Sequence, residues 1–480
     1  MTTSLHPARL GGAALLLAGP TVLAFFSGGY FDQPRLWAAL IALLLVAAVA
    51  VVAKPPLPRL RRGRAALAGL ALLALLTGLS AFWAPSAGPA LDDAQRVLLY
   101  LATTIAAAAV LRPRPLARAV EPALALGALV VMGYGLSGRL LPGIVHLSHS
   151  ASSAARLDQP LTYWNADGVL AAMGMTLCAR LAGDPTRSLR MRMGAAAAVG
   201  PLAAALYLTF SRGALAGLAA GIVLLALLAP DRPQARALAL GAAVGGLAMV
   251  AAAALPGVRQ VDGALHTREG GGLLLLIALI LLVGVAAPAQ AWMARGELQG
   301  RLGLGPLAAG RARLVALALV VLVAGAAAFG VASAEEGPPA TGATAQRFRS
   351  VQSSRYSYWG VAFGTFADNP LIGSGSGSFR FEWLRRRDID EPARDAHSLY
   401  FETLAELGLA GALALGLYLG GLLACVPDVR RRDPLMVPGL AALLGVWALA
   451  CTLDWHWEMP AVTLLAIIAA GTLVARADAG

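Results

Sequence analysis

The residues that could do chemistry gather at a few polar points in an otherwise apolar chain. One is Arg394-Asp395-Ala396-His397-Ser398-Leu399-Tyr400, followed by Glu402 and Glu406, one turn apart on what reads as a helix. Histidine is the side chain best placed to exchange protons near neutral pH, so His397 can serve as a base. The helix start beside it offers unpaired N–H groups and a positive dipole end that suit an anion. A second point is Arg212, set between the apolar segments 194–210 and 213–229 with almost no loop to solvate it. A guanidinium fixed there can grip a phosphate through its planar fork, or simply reach up to lipid headgroups. A third is the run Gly373-Ser374-Gly375-Ser376-Gly377-Ser378. No strand precedes it, so it reads as a flexible turn rather than a nucleotide loop, although its amides could touch a lipid-linked phosphate. Cys178, Cys425 and Cys451 lie in apolar stretches, with no CxxC or Cys/His metal spacing among them.

Composition says what must position these groups. The chain has 480 residues, 58% hydrophobic and 13% charged, with a mean hydropathy of +0.70. That excludes soluble multidomain, disordered and disulfide-framed classes. The net charge of +12 does not indicate nucleic-acid binding in a chain this apolar. Spans are expected near 10–28, 36–53, 65–83, 97–111, 122–141, 166–182, 194–210, 213–229, 236–255, 271–293, 314–333, 403–425, 435–453 and 460–475. The expected fold is therefore all-α, a polytopic integral membrane protein of about 12–14 transmembrane helices with one long extracytoplasmic loop containing short helices. The first apolar stretch reads as an uncleaved helix because further spans follow at once.

Arginines orient the bundle. Of 38 Lys and Arg, 23 fall on alternate connections counted from the N-terminus, seven on the opposite short ones and eight in the long connection 334–402. The positive-inside rule then places both termini in the cytoplasm and the long loop outside. The chain divides into N-terminal membrane helices (1–193), central membrane helices carrying Ser211-Arg212-Gly213 (194–333), the long loop (334–402) and C-terminal membrane helices (403–480), all within one membrane domain. Inside the loop a helix is expected from Arg347 to Asp368, with Trp359, Ala362, Phe363 and Phe366 on one face. Arg385-Arg386-Arg387, followed by Asp388, Asp390 and Glu391, reads as a solvated, salt-bridged turn. No clustered metal-ligand set is expected in the outer loops.

Three elements carry a resemblance. They are Thr209-Phe210-Ser211-Arg212-Gly213-Ala214; then Arg355-x-x-x-Trp359 with Phe366-x-Asp368-x-Pro370-Leu371-x-Gly373-x-Gly375; and Ala396-His397-Ser398-Leu399-Tyr400 with Glu402-x-x-x-Glu406-x-Gly408-x-x-Gly411. In this order, on a polytopic chain, they resemble the O-antigen ligase and polymerase superfamily over roughly residues 194–425. The resemblance implies transfer of a saccharide from a polyprenyl-diphosphate carrier to an acceptor hydroxyl (of a saccharide, lipid or protein), without metal or other cofactor, at the outer face of the cytoplasmic membrane. Carried over by motif, His397 is the base and Arg212 a diphosphate ligand, with Arg355 and Glu402 in the substrate site. A second diphosphate arginine is expected in an outer loop, with Arg268 favoured over Arg259. Two departures stand out: Ser398 follows the histidine where many members have Asn, and fourteen spans exceed the dozen of many ligases.

The rival reading is a transporter or flippase. Such proteins need ionisable or broken-helix sites near the bilayer midplane, often in paired repeats. Here the polar chemistry collects at the outer rim, which favours an enzyme working at the interface.

Overall fold

The computed structural model describes residues 7–52, 58–306 and 353–478. Among these there is no strand. The helices are α1 (Pro7–Ala24), α2 (Asp32–Val52), α3 (Arg61–Leu79), α4 (Ala87–Val110), α5 (Arg114–Leu140), α6 (Trp164–Gly183), α7 (Leu189–Leu208), α8 (Arg212–Leu228), α9 (Arg232–Ala254), α10 (Leu265–Leu298), α11 (Arg355–Asp368), α12 (Phe379–Arg386), α13 (Leu399–Arg432), α14 (Val437–Leu453) and α15 (Pro460–Asp478), with a one-turn helix at Pro256–Arg259 between α9 and α10. Helices dominate because a segment crossing hydrocarbon must satisfy every backbone N–H and C=O within itself.

Ten helices among the described residues are long and apolar enough to cross a membrane. Asp92, Asp93 and Arg96 make α4 more polar than these, Asp167 and Arg180 do so for α6, and α8 has only 17 residues. Thirteen of the fourteen expected spans thus have a helix at their positions, and the segment at 314–333 lies outside the described residues.

The chain forms two compact units that interleave in sequence. The first comprises Met1–Val120, Ser353–Leu440 and Cys451–Gly480; the second comprises Glu121–Gln352 and Ala441–Ala450. In the first, α3 and α13 touch backbone to backbone. A β-carbon on Gly69 would lie 2.4 Å from the Tyr418 amide nitrogen, and one on Gly421 would lie 2.5 Å from that of Ala66. Small residues at such crossings let apolar helices gain dispersion contacts where lipid removes the hydrophobic drive. In the second, a β-carbon on Gly168 would fall 2.8 Å from Thr209 Oγ1, so the start of α6 lies directly on the α7–α8 corner.

The long connection differs from expectation in two respects. In α11 the buried face is Tyr358, Val361, Ala362 and Thr365, while Phe363 is exposed. The helical spacing was right but its phase was off by one residue, because the core here (Phe379, Trp383, Ala396 and Ala405) takes Tyr358 in place of Phe363. Residues 347–352, expected in the same helix, lie outside the described set. The glycine–serine run, expected to be flexible, is clamped. Gly373, Gly375 and Gly377 have φ of 67°, 95° and 69°, and β-carbons there would strike Glu406 C, Ala84 Cα and Pro89 Cβ at 2.2, 2.5 and 2.4 Å. Only glycine meets both demands. Glu406 fastens the turn by accepting the Gly377 and Phe379 N–H groups, each at 2.9 Å. Gly408, with φ 60° and ψ −155°, breaks α13 into 399–407 and 409–432, and the Leu409 amide turns to donate to the Pro370 carbonyl at 2.8 Å. The arginine run is salt-bridged, but Arg385 and Arg386 close α12 instead of lying in a turn and pair with Glu382, Arg386 also with Asp368, so that only Arg387 pairs with one of the acids that follow, Asp390.

Candidate active site

His397 stands at the entrance to α13 in a left-handed backbone state, with φ of 54°. A β-carbon disfavours that region, so the turn persists only because its surroundings hold it. Ser398 caps the helix by accepting the Phe401 N–H at 3.4 Å, and Glu402 reaches back to accept the Ala396 N–H at 2.8 Å. Ala396 is wholly buried in the Tyr358–Trp383 cluster, which pins the turn from below. Tyr358 lies along the half-buried imidazole with ring centroids 5.0 Å apart, and Trp455 meets it nearly at right angles at 6.4 Å.

Hydrogen bonding decides which ring nitrogen is basic. His397 Nδ1 is 3.0 Å from the Asp395 carbonyl oxygen. A carbonyl can only accept, so Nδ1 carries the proton and Nε2 presents a lone pair. Nε2 is 4.0 Å from Asp454 Oδ1. Asp454 in turn accepts the Trp455 N–H at 2.9 Å and the Arg355 guanidinium at 2.5 Å. Burial alone would raise the Asp454 carboxyl, but Arg355, His397 and His456 outweigh it and hold it down at about 2. Near neutral pH it is a fixed anion beside Nε2, placed to stabilise the imidazolium formed once Nε2 takes a proton. His456 is buried, and burial pushes it down to about 4, so it stays a neutral ring at neutral pH.

Beneath this turn is a cavity of about 40 Å³ whose polar lining includes Asp93, Arg96, Glu402, Glu406 and Glu458. Arg96 pairs with Asp93 at 2.6 Å and with Glu458. The long connection also holds an Asp-x-Asp, Asp388-Ile389-Asp390. Asp388 accepts the Ser357 hydroxyl at 3.2 Å and Asp390 pairs with Arg387 at 3.1 Å.

The other expected residues belong to the second unit. Arg212 is the first residue of α8, half-buried, where Ser211 caps the helix by accepting the Ala214 N–H at 3.3 Å. Arg259 ends the one-turn helix, and Arg268 lies in the first turns of α10. The two segments adjoin closely, since a β-carbon on Gly257 would lie 2.3 Å from the Thr267 carbonyl oxygen. Buried Arg139 braces the same turn by donating to the carbonyls of Ala155 at 2.8 Å and of Val258 and Gln260 at 3.4 Å. Arg259 lines an open hollow of about 640 Å³ with Ala155, Gln260 and Asp262. Neither Arg259 nor Arg268 has an ion pair with a carboxylate among the described residues. A guanidinium without an ion pair at the edge of a hollow, as Arg259 is, suits an anionic ligand.

The structure thus brings His397 and Arg355 together around Asp454, places Glu402 behind the His397 turn, and sets Arg259 beside the α10 segment that carries Arg268. Asp454 and Trp455 escaped the sequence reading. Their only signal was an acid closing an apolar run and opening Asp454-Trp455-His456-Trp457-Glu458.

Comparison with curated proteins gives no match. The O-antigen ligase family model matches residues 260–416, about a third of the chain. The match encloses Arg268, Arg355, His397 and Glu402, while Arg212 and Arg259 fall outside it. The matched segment, which spans the His397 turn, is thus similar to O-antigen ligases, in a chain whose described residues form helices without strands, ten of them long and apolar enough to cross a membrane.

Proposed function

We propose that the protein transfers a saccharide from a polyprenyl-diphosphate carrier to an acceptor hydroxyl, as a polysaccharide ligase or polymerase. It would work at the outer face of the cytoplasmic membrane, with both termini in the cytoplasm. His397 is the general base: Nε2 takes the proton as the acceptor oxygen bonds to the anomeric carbon, while the bond from that carbon to the diphosphate breaks. The departing diphosphate stays on its lipid carrier, its charge held by Arg212 and a second arginine, Arg268 or Arg259. Fixed cations in a water-poor site do this without a metal. Arg355 keeps Asp454 ionised beside the imidazole, and Glu402 keeps the His397 turn in place.

One observation carries this reading. Nδ1 is committed to the Asp395 carbonyl, so Nε2 is the basic nitrogen, and it lies beside a carboxylate that cannot leave. The test is transfer in vitro from a polyprenyl-diphosphate glycan to saccharide, lipid and protein acceptors, with and without chelator. Activity that vanishes in chelator would contradict arginine-only catalysis. Full activity in His397→Ala would remove the base.

A further inference from the structure

Between α1 and α2 runs a groove of about 730 Å³, floored by Leu99 and Thr103 of α4 and by Leu464 and Ile468 of α15. Among the described residues that line it, polar atoms on side chains come from Gln33, Thr103 and the Trp37 indole N–H alone. Small residues make the gap, among them Ala14, Ala18, Ala38 and Ala42. A β-carbon on Gly19 would meet nothing within 4 Å. The far end is shut, since one on Gly12 would lie 3.1 Å from Leu45 and 3.5 Å from Val110. From Gly12 to Phe26 the groove is about 20 Å long at 1.5 Å per residue, most of a hydrocarbon core about 30 Å thick.

The near end leads to the His397 site within the same unit. The α1–α2 turn that closes it carries Tyr30, whose ring is 5.4 Å from that of Trp455, the residue flanking His397. The Arg394 guanidinium lies 5.6 Å above Tyr30. Nearby arginines are taken by carboxylates: Arg35 by Asp32, Arg96 by Asp93 and Arg355 by Asp454. Arg394 is exposed and has no ion pair or side-chain hydrogen bond among the described residues. An apolar slot that ends at an exposed guanidinium without an ion pair, next to a base, matches a ligand with a long hydrocarbon tail and an anionic head.

We propose that this groove seats the polyprenyl chain of the donor and that Arg394 binds a phosphate of its headgroup. The proposal rests on the glycosyl-transfer reading for the donor's identity, but binding can be measured apart from transfer. Full-length protein in phosphatidylcholine nanodiscs is photolabelled with a polyprenyl diphosphate carrying a diazirine midway along its tail, and the labelled peptides are mapped. Labelling should fall within residues 14–45 and be displaced by unlabelled polyprenyl diphosphate, but not by polyprenol or excess phosphatidylglycerol. Arg394→Gln should weaken labelling about tenfold, the scale of one lost charge-assisted hydrogen bond, and Arg394→Lys should restore part of it. Labelling elsewhere in the unmodified protein overturns the groove. Equal displacement by polyprenol and phosphatidylglycerol overturns it too, showing a slot for bulk lipid. Labelling at 14–45 without transfer to any acceptor would sink the transferase reading and leave the groove; transfer with labelling elsewhere would do the reverse.

Discussion

The surroundings of His397 and the Arg259–Arg268 segment handle charge in opposite ways. Around His397 each buried guanidinium has its carboxylate: Arg355 has Asp454, and Arg96 has Asp93 and Glu458. Their fields cancel, and the imidazole is left as the group able to exchange a proton. In the second unit the hydrogen bonds of Arg139 go to carbonyls, while Arg259 and Arg268 have no ion pair with a carboxylate among the described residues. Those two guanidiniums are left without a direct ion pair, although Asp262 shares the hollow with Arg259. Proton transfer calls for neutralised buried charge around one titrating group, whereas anion binding calls for guanidiniums without a carboxylate partner, which are Arg259 and Arg268 in the second unit and the exposed Arg394 at the edge of the His397 site.

The sharpest way to break this contrast is His397→Ala. Transfer should fall by about 10²–10⁴-fold, the usual weight of a general base, with melting temperature and membrane insertion unchanged. Retained activity would mean the neutralised region is not where protons move.

Acid titration probes the same region through stability. His456 is lowered from 6.5 to about 4 in the fold, so the unfolded chain binds its proton first. The stability it contributes is complete above pH 6.5 and is lost as pH falls toward 4, by at most about 3 kcal/mol. Melting temperature should drop across that window, and His456→Gln should flatten the drop. An unchanged slope in the variant would show that another group sets it.

Arg212→Lys and Arg268→Ala test the guanidiniums of the second unit. Each should lower kcat/KM by about 10–100-fold, since an ammonium lacks the planar fork and alanine lacks charge altogether. If Arg259→Ala does more damage than Arg268→Ala, the second diphosphate ligand is Arg259.

The smallest effect is a coupling. Asp454→Asn and Arg355→Gln should each destabilise the protein, and the double variant should lose about 1 kcal/mol less than their sum because neither charge is then stranded. Strict additivity in thermal melts would show that the pair does not act as a unit.

The spans were legible because about 20 apolar residues in a row leave the backbone no alternative to a helix in lipid. His397, Arg212 and Arg355 were legible because few polar groups interrupt so apolar a chain. Asp454 was not, because 57 positions separate it from His397 and only the return of α14 brings them together. The α11 face was misread because three aromatics suggested the core, whereas the same i, i+3, i+4, i+7 spacing one residue earlier supplies it. The Gly373–Ser378 run was misread because glycine and serine signal freedom in isolation. Here glycine is required by positive φ and by the backbones of Glu406 and Ala84 pressing against it.

That clamped turn bears on how the protein can be handled. A reporter peptide spliced between Gly375 and Ser376 would pull the Ser376 amide from the Ser80 hydroxyl and its own hydroxyl from Asp93, at 2.9 and 2.7 Å, and so unthread the chain beside α4. Asp390, with its side chain 95% exposed, gives up a surface ion pair to Arg387, but the next carbonyl, of Glu391, accepts the buried Trp383 indole N–H at 2.8 Å, so an epitope placed there should be tolerated only if it leaves that bond in place.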